Sequence, residues 1–414
     1  MIEETRLDNG LTIYTYIDKR RHTNTFQFVT KYGGSYKDFK YKNKEYHMQD
    51  GIAHILEHYI VEENEHGNFL KHLGELQMNT NASTYRLKTD FYFTCVEKLE
   101  EGIRILLNGI NNVTFNEDRL NHLKNPIYQE IRGRSDSKFY HLDIEEANCL
   151  FHNYKYRSIG GTIEEVEKTT VDDLKLCYEA FYRPNNQFIV ISGNFDKDKI
   201  INLIKDIYKD FKFNDDEVEL LKIKEPKIVV KNKNIIYYPT PKDYVDINYK
   251  LDISNYSPEE RLKLDFYIHC FYKNFFGVTS DLYKKMVKEE IVTAGIGCGD
   301  KKYYDYLIIG FGTYTDKPEK FYKYIHDFIN NIDGYDEELF ELTKKNTIIN
   351  FILRDDNVLN VVIPFIDNII DFDYPYMDKI EDIKSFNFKE YKEFIKKLDF
   401  SNEVVTTIKN KESF

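Results

Sequence analysis

GIAHILEHYIVEE, residues 51–63, decides how this chain is read. In a helix, steps of three and four residues return to one face, so Ile52, Ile55, Leu56, Tyr59 and Ile60 form an apolar stripe. His54, Glu57 and His58 fall together on the opposite face. A solvent-facing helix side ordinarily carries Lys and Glu. Two imidazoles one turn apart, with a carboxylate beside them, are instead the donors that a divalent zinc ion takes.

Working outward, the 414 residues exceed one ordinary core, so at least two domains are expected. Hydrophobic residues make up 42% and aromatics 15%, enough for packed cores, which excludes wholesale disorder. A net charge of −12 disfavours nucleic acid or an anionic membrane as the main partner. Cys95, Cys149, Cys177, Cys270 and Cys298 are odd in number and widely spaced, without a C-x-x-C pair. They read as reduced, buried thiols in a cytoplasmic protein. The N-terminal stretch has no apolar secretory core. The most apolar run, NVLNVVIPFIDNIIDF, is broken by Pro364, Asp367 and Asp371, so no membrane span is expected. No glycine-rich phosphate loop and no G-x-S-x-G turn is present, which removes nucleotide and serine-hydrolase readings.

Alternating or apolar runs in LTIYTYID, NTFQFVTKYGG, NASTYR, TDFYFTCVE and NQFIVISGN predict strands, with amphipathic helices between them. Pro126 is expected to kink or restart the helix over EDRLNHLKNPIYQEIR. The charged, aromatic-poor stretch 216–232 reads as a linker, dividing an N-terminal domain (1–215) from a C-terminal one (233–414). The pattern then recurs. EYKEFIKKLDFSNEVVTTIKN can be laid on LKLCYEAFYRPNNQFIVISGN, and DEELFELTKKNTIINFILR on NEDRLNHLKNPIYQEIRG, with Asn350 opposite Glu130. The fold class expected is therefore α+β: two homologous domains, each a mostly antiparallel sheet with helices packed on one face.

A catalytic zinc site needs a third protein ligand and an open position for water. Glu130 is the best candidate, because Ile127 and Ile131 would anchor its helix and aim the carboxylate inward. Glu145 and Glu146 remain alternatives. The pattern over His54–His58 is H-x-x-E-H, the inverzincin motif. LDNG near the start, KYGGS at 31–35, NAST at 81–84, QEI at 129–131, GTIE at 161–164 and FYRPNN at 181–186 follow in order around it. Carrying these motifs, the chain resembles the pitrilysin and mitochondrial-processing-peptidase family of zinc peptidases, in particular its bacterial single-chain, two-domain members.

The resemblance implies one Zn²⁺ per chain held by His54, His58 and Glu130, with Glu57 as general base. It also implies that the strand edge at Asn81, Ala82, Ser83 and Thr84 holds a peptide substrate as an added strand. The activity implied is endopeptidase cleavage of peptides or small unfolded proteins in a closed chamber. The competing expectation is a non-catalytic, peptide-binding subunit. Three departures stand out. His58 to Glu130 spans 72 positions (130 − 58), short for the family, and Leu123 stands where a supporting glutamate is common. The family's substrate-gripping Arg and Tyr align with Val287 and Ala294, neither of which donates a side-chain hydrogen bond. A homologous partner subunit, or a second copy, is expected to supply them, with Tyr303 and Tyr304 as local substitutes.

Overall fold

Alternation of apolar side chains along the predicted strands becomes two main sheets and a small three-stranded one in a computed structural model of the chain. It describes residues 2–62, 67–154, 159–214, 216–221, 223–293, 295–354, 358–373, 375 and 379–410. The first half of the chain supplies β1 (Ile2–Arg6), β2 (Thr12–Ile17), β3 (Asn24–Thr30), β4 (Asp38–Tyr41), β5 (Lys44–His47), α1 (Ile52–Val61), α2 (Phe69–Glu75), β6 (Asn79–Thr84) and β7 (Thr89–Cys95). It continues with α3 (Leu99–Asn111), α4 (Glu117–Ser135), α5 (Lys138–Leu150), α6 (Ile163–Lys168), α7 (Val171–Phe181), β8 (Gln187–Gly193) and α8 (Lys197–Tyr208). The second half supplies β9 (Val218–Leu220), β10 (Lys233–Tyr238), β11 (Tyr244–Asp252), α9 (Pro258–Phe276), α10 (Asp281–Lys288), β12 (Gly297–Tyr303) and β13 (Tyr306–Tyr314). It ends with α11 (Pro318–Asn330), α12 (Glu337–Arg354), α13 (Val358–Phe372), α14 (Lys379–Ser385), α15 (Phe388–Lys397) and β14 (Glu403–Asn410).

Two compact units result, and neither is one contiguous stretch. One comprises Met1–Arg134, Arg157–Lys222 and Arg354–Met377; the other comprises Ser135–Tyr156, Ile223–Leu353 and Asp378–Phe414. A contiguous division at 215 and 233 differs from this in the segments that carry α5 and α13. The stretch 216–232 also contains β9, which pairs with β4 at the edge of a small three-stranded sheet.

In the first unit the main sheet runs β1-β2-β8-β3-β7-β6, with β2 and β8 parallel and the other neighbours antiparallel. Period-two alternation sends Ile13, Phe26, Phe28, Ile189 and Ile191 to one face, where they join Ile55, Leu56 and Tyr59 of α1 and Ile103, Leu106 and Leu107 of α3. Tyr14, Val29, Phe188 and Val190 point the other way and are covered by Val362, Phe365, Ile366 and Ile369 of α13. The most apolar run of the second half is thus a cover for this sheet. Lys88 Nζ, 3.1 Å from Asp367 Oδ1, fixes α13 there. Among the described residues, no helix is long and apolar enough to cross a membrane.

The second unit's sheet runs β10-β14-β11-β13-β12. β10 and β14 are parallel and the remaining pairs antiparallel. Laying β2, β8, β3, β7 and β6 on β10, β14, β11, β13 and β12 matches every neighbour and every direction, so the internal repeat read from the sequence is a repeat of topology. Val245, Ile247 and Tyr249 face the main core with Leu264, Tyr267 and Phe271 of α9. The opposite face carries Ile308 and Val404 against Ala147 and Leu150 of α5. Each sheet therefore has helices on both faces, and the second cover comes from the other half of the sequence. α4 runs through Pro126 without the expected break. The buried Leu123 and Ile127 on either side of it hold the helix despite the lost hydrogen bond. Four of the five cysteines are buried, Cys298 is half-buried, and all are free thiols.

Candidate metal centre

Glycine fixes the start of α1. Gly51 has φ +89°, and a Cβ there would lie 2.7 Å from the Gly160 carbonyl oxygen, so only a bare backbone fits between the two segments. At the other end, Arg119 donates to the carbonyls of Tyr59 and Glu62 and stacks over the Tyr59 ring at 4.3 Å. α1 is buried on both sides, which differs from a one-sided amphipathic helix: His54 and Glu57 are each only 7% exposed. Glu130 comes from α4, where buried Ile127 and Ile131 place the carboxylate on the face turned to α1.

His54, His58 and Glu130 converge. The two Nε2 atoms lie 3.3 Å apart. Glu130 Oε2 is 3.4 Å from His54 Nε2, and its Oε1 is 3.5 Å from His58 Nε2. Three donors bound at about 2.0–2.1 Å to one tetrahedral ion stand about 3.3–3.4 Å apart, close to the separations between the two rings and from each ring to one oxygen of Glu130. Glu145 and Glu146 lie on α5, in the other unit. There Glu145 accepts from the Asn234 amide.

The electrostatics suit a cation. Burial pushes the His54 pKa down to about 3, helped by His58 and Arg134, so its imidazole is neutral and offers a lone pair. Burial also lowers the pKa of His58, against the pull of Glu130. Two neutral imidazoles and a carboxylate are the protonation states metal ligation demands. The outer support is sparse. Among the described residues His54 Nδ1 is buried without a hydrogen-bond partner, and Leu123 is buried in the apolar core.

Glu57 points into the same space and takes no part in the triangle. Burial pushes its pKa up to about 7, opposed by a hydrogen bond from Thr84 and reinforced by Asp90 and Glu130. Thr84 Oγ1 donates to Glu57 Oε2 at 2.8 Å. The Thr84 hydroxyl is thus committed to Glu57, while its backbone lies on the β6 edge. Asn81, Ala82, Ser83 and Thr84 all lie on β6, the outermost strand of the sheet. They line one cavity of about 450 Å³ with His54, Glu57, His58 and Glu130. Arg134, absent from the sequence reading, lines it too, with Nη2 3.3 Å from Glu130 Oε2. Its position four residues after Glu130 was the available signal. Buried Asp90, paired with Lys88 at 3.3 Å, was also missed, since a charge in a strand resembles a solvent-facing position.

Val287, near the end of α10, is 42% exposed. Ala294 and His66 lie outside the described residues. Tyr303 and Tyr304 pack against Phe151 and Tyr154 in tilted ring pairs, with centroids 4.9 and 4.7 Å apart, within the second unit.

Two family models match the chain. That described as Insulinase (Peptidase family M16) covers residues 42–146, which hold the whole triangle and Glu57. That described as Peptidase M16 inactive domain covers residues 168–347. Together they span well over half of the sequence. The chain belongs to the M16 (pitrilysin) peptidase family. An M16 relative, the uncharacterized zinc protease YmfH of Bacillus subtilis, is 25% identical over 354 residues, covering 84% of this chain and 82% of that protein. The probable mitochondrial-processing peptidase subunit beta of Arabidopsis thaliana is 22% identical over 211 residues, or 49% of this chain and 38% of that protein. Among solved structures, a putative M16-like peptidase from Alicyclobacillus acidocaldarius superposes with a TM-score of 0.90 at 22% identity, covering 99% of this chain and 98% of that one. This likeness establishes the two-unit M16 fold.

Proposed function

We propose that the chain is a zinc-dependent metalloendopeptidase, with His54, His58 and Glu130 as ligands and Glu57 as general base. The carrying observation is the triangle of donors 3.3–3.5 Å apart with the Glu57 carboxylate beside it. Relatives named zinc proteases support the choice of metal. When bound there, zinc acidifies a water molecule and polarises the scissile carbonyl.

The chain's own residues do the rest. β6 offers its unpaired edge to an extended peptide, whose backbone hydrogen bonds hold it regardless of sequence. This favours unfolded peptides and small proteins as substrates. Glu57 takes the proton of the attacking water and returns it to the leaving amide nitrogen as the C–N bond breaks. Thr84 keeps the Glu57 carboxylate turned toward that water through its 2.8 Å hydrogen bond. Burial holds Glu57 near the pKa at which accepting and releasing a proton are both easy.

Glu57→Gln should retain about one zinc per chain by atomic emission and abolish peptide cleavage. His58→Ala should lose both metal and activity. Cleavage by Glu57→Gln at the wild-type rate refutes the assignment.

A two-chain assembly enclosing the substrate is the partner arrangement proposed, with a homologous subunit or a second copy. Val287 carries no donor where the resemblance places one, and a similar chain is named as a subunit of a processing peptidase. Comparing the protein alone with the protein plus its paralogue tests this. Full activity in isolation removes the need for a partner. Zinc-free protein that still binds peptide favours the non-catalytic subunit.

A further inference from the structure

We infer that Arg134 is the local oxyanion donor of this site: anchored on Glu130, it presents its remaining N–H groups to the carbonyl oxygen of a peptide held along β6. The inference rests on the peptidase reading above. As water oxygen bonds to the carbonyl carbon, the C=O π pair moves onto oxygen and leaves a negative charge to be met by preorganised donors. A guanidinium offers five N–H groups in a fixed fork, and one of Arg134's is used on Glu130 Oε2 at 3.3 Å. Arg134 is the one Lys or Arg among the described residues lining the cavity, which His54, Glu57 and the β6 edge also line.

Space for the group is made by the chain itself. A Cβ at Gly160 would lie 2.5 Å from Arg134 Nη1, so the missing side chain leaves the guanidinium room. Its side chain remains 42% exposed, within reach of a ligand entering the cavity. Val287, the residue aligned with a distant donor, has no N–H or O–H in its side chain. An arginine four residues after a ligand glutamate thus does two things: it steadies that carboxylate and adds positive charge beside the reacting carbonyl.

The test uses the full-length protein with its zinc content measured. Arg134→Gln should keep about one zinc per chain and lower kcat by about 10²–10³-fold, the usual effect of removing one oxyanion donor, with KM changed only a few-fold. Its affinity for a phosphinic peptide, whose tetrahedral anion mimics the transition state, should fall in parallel when measured by calorimetry. Arg134→Lys, which keeps the charge and loses the fork, should recover part of both. Loss of zinc from Arg134→Gln with normal phosphinate binding in the zinc-reloaded variant overturns the oxyanion role. So do unchanged kcat and unchanged phosphinate affinity in an active wild-type background. Wild-type protein that holds no zinc and shows no turnover even with its paralogue present overturns the peptidase reading and this role with it.

Discussion

Replacing Thr84 with valine removes its 2.8 Å hydrogen bond to Glu57, a longer 3.4 Å contact with Thr89 Oγ1, and little else. The side chains are nearly isosteric, and the backbone pairing of Thr84 with Thr89 in the β6–β7 ladder is untouched. The bond lost is Thr84 Oγ1 to Glu57 Oε2, 2.8 Å long, at a carboxylate only 7% exposed. A hydrogen bond to a charged group contributes about 1.5–3 kcal/mol. At about 1.4 kcal/mol per pKa unit, its removal raises the Glu57 pKa by roughly 1–2 units. The direction follows from which form the bond favours. Thr84 stabilises the carboxylate, so without it the proton is held more tightly and the basic form appears only at higher pH. A bound zinc ion lowers the Glu57 pKa in wild type and variant alike, leaving their difference in place. The acid limb of kcat/KM, followed with a fluorogenic peptide from pH 5 to 9, should therefore move up by roughly 1–2 units. Thr84→Ser, which restores the donor, should return the limb to its wild-type position. Superimposed acid limbs for wild type and Thr84→Val would refute the reasoning, because the titrating base would then not be the group bonded to Thr84.

Further outcomes are expected. Lys250 and Glu225 form an ion pair at 2.8 Å with neither side chain exposed, so Glu225→Gln should cost about 3–5 kcal/mol in urea unfolding, and the Lys250→Met/Glu225→Gln double variant less than the summed singles. Burial raises the Glu225 pKa, but Lys250 and the N–H groups of Asn153, His152 and Tyr154 outweigh it and hold the net value below 4.5. That stabilisation is complete above about pH 4.5 and lost as pH falls through the folded value, a dependence Glu225→Gln should flatten. Gly51→Ala should lower the melting temperature and the zinc stoichiometry together, since its Cβ meets the Gly160 carbonyl at a positive φ. Gly133→Ala, on α4 with open space around its Cβ, should be neutral or stabilising by up to about 1 kcal/mol.

What could be read in advance was what short-range periodicity encodes. The stripe Ile52, Ile55, Leu56, Tyr59 and Ile60 predicted α1, and Ile127 with Ile131 predicted which way Glu130 would face. The repeat was legible because similar helix–strand segments fill equivalent places in both sheets. Less visible was anything set by which surfaces meet. The apolar pattern of NVLNVVIPFIDNIIDF announces a helix with something to bury, but not that Tyr14 and Phe188 are its partners. The bond from the Thr84 hydroxyl to Glu57 depends on the approach of α1 to β6, which no local pattern encodes. Lys88 and Asp90 were hidden for a related reason: charged residues look solvent-facing until a neighbouring element is known to cover them.

The reciprocal placement of α5 and α13 has a consequence for how this molecule tolerates cutting. Neither half of the gene encodes a self-sufficient domain, because each half lacks the second cover of its own sheet and carries the cover of the other. Expressed separately, the halves should expose Tyr14, Val29 and Phe188, or Ile308 and Val404, and aggregate. Produced together, they should reassemble, since the exchange works as a clasp that needs no peptide bond between them.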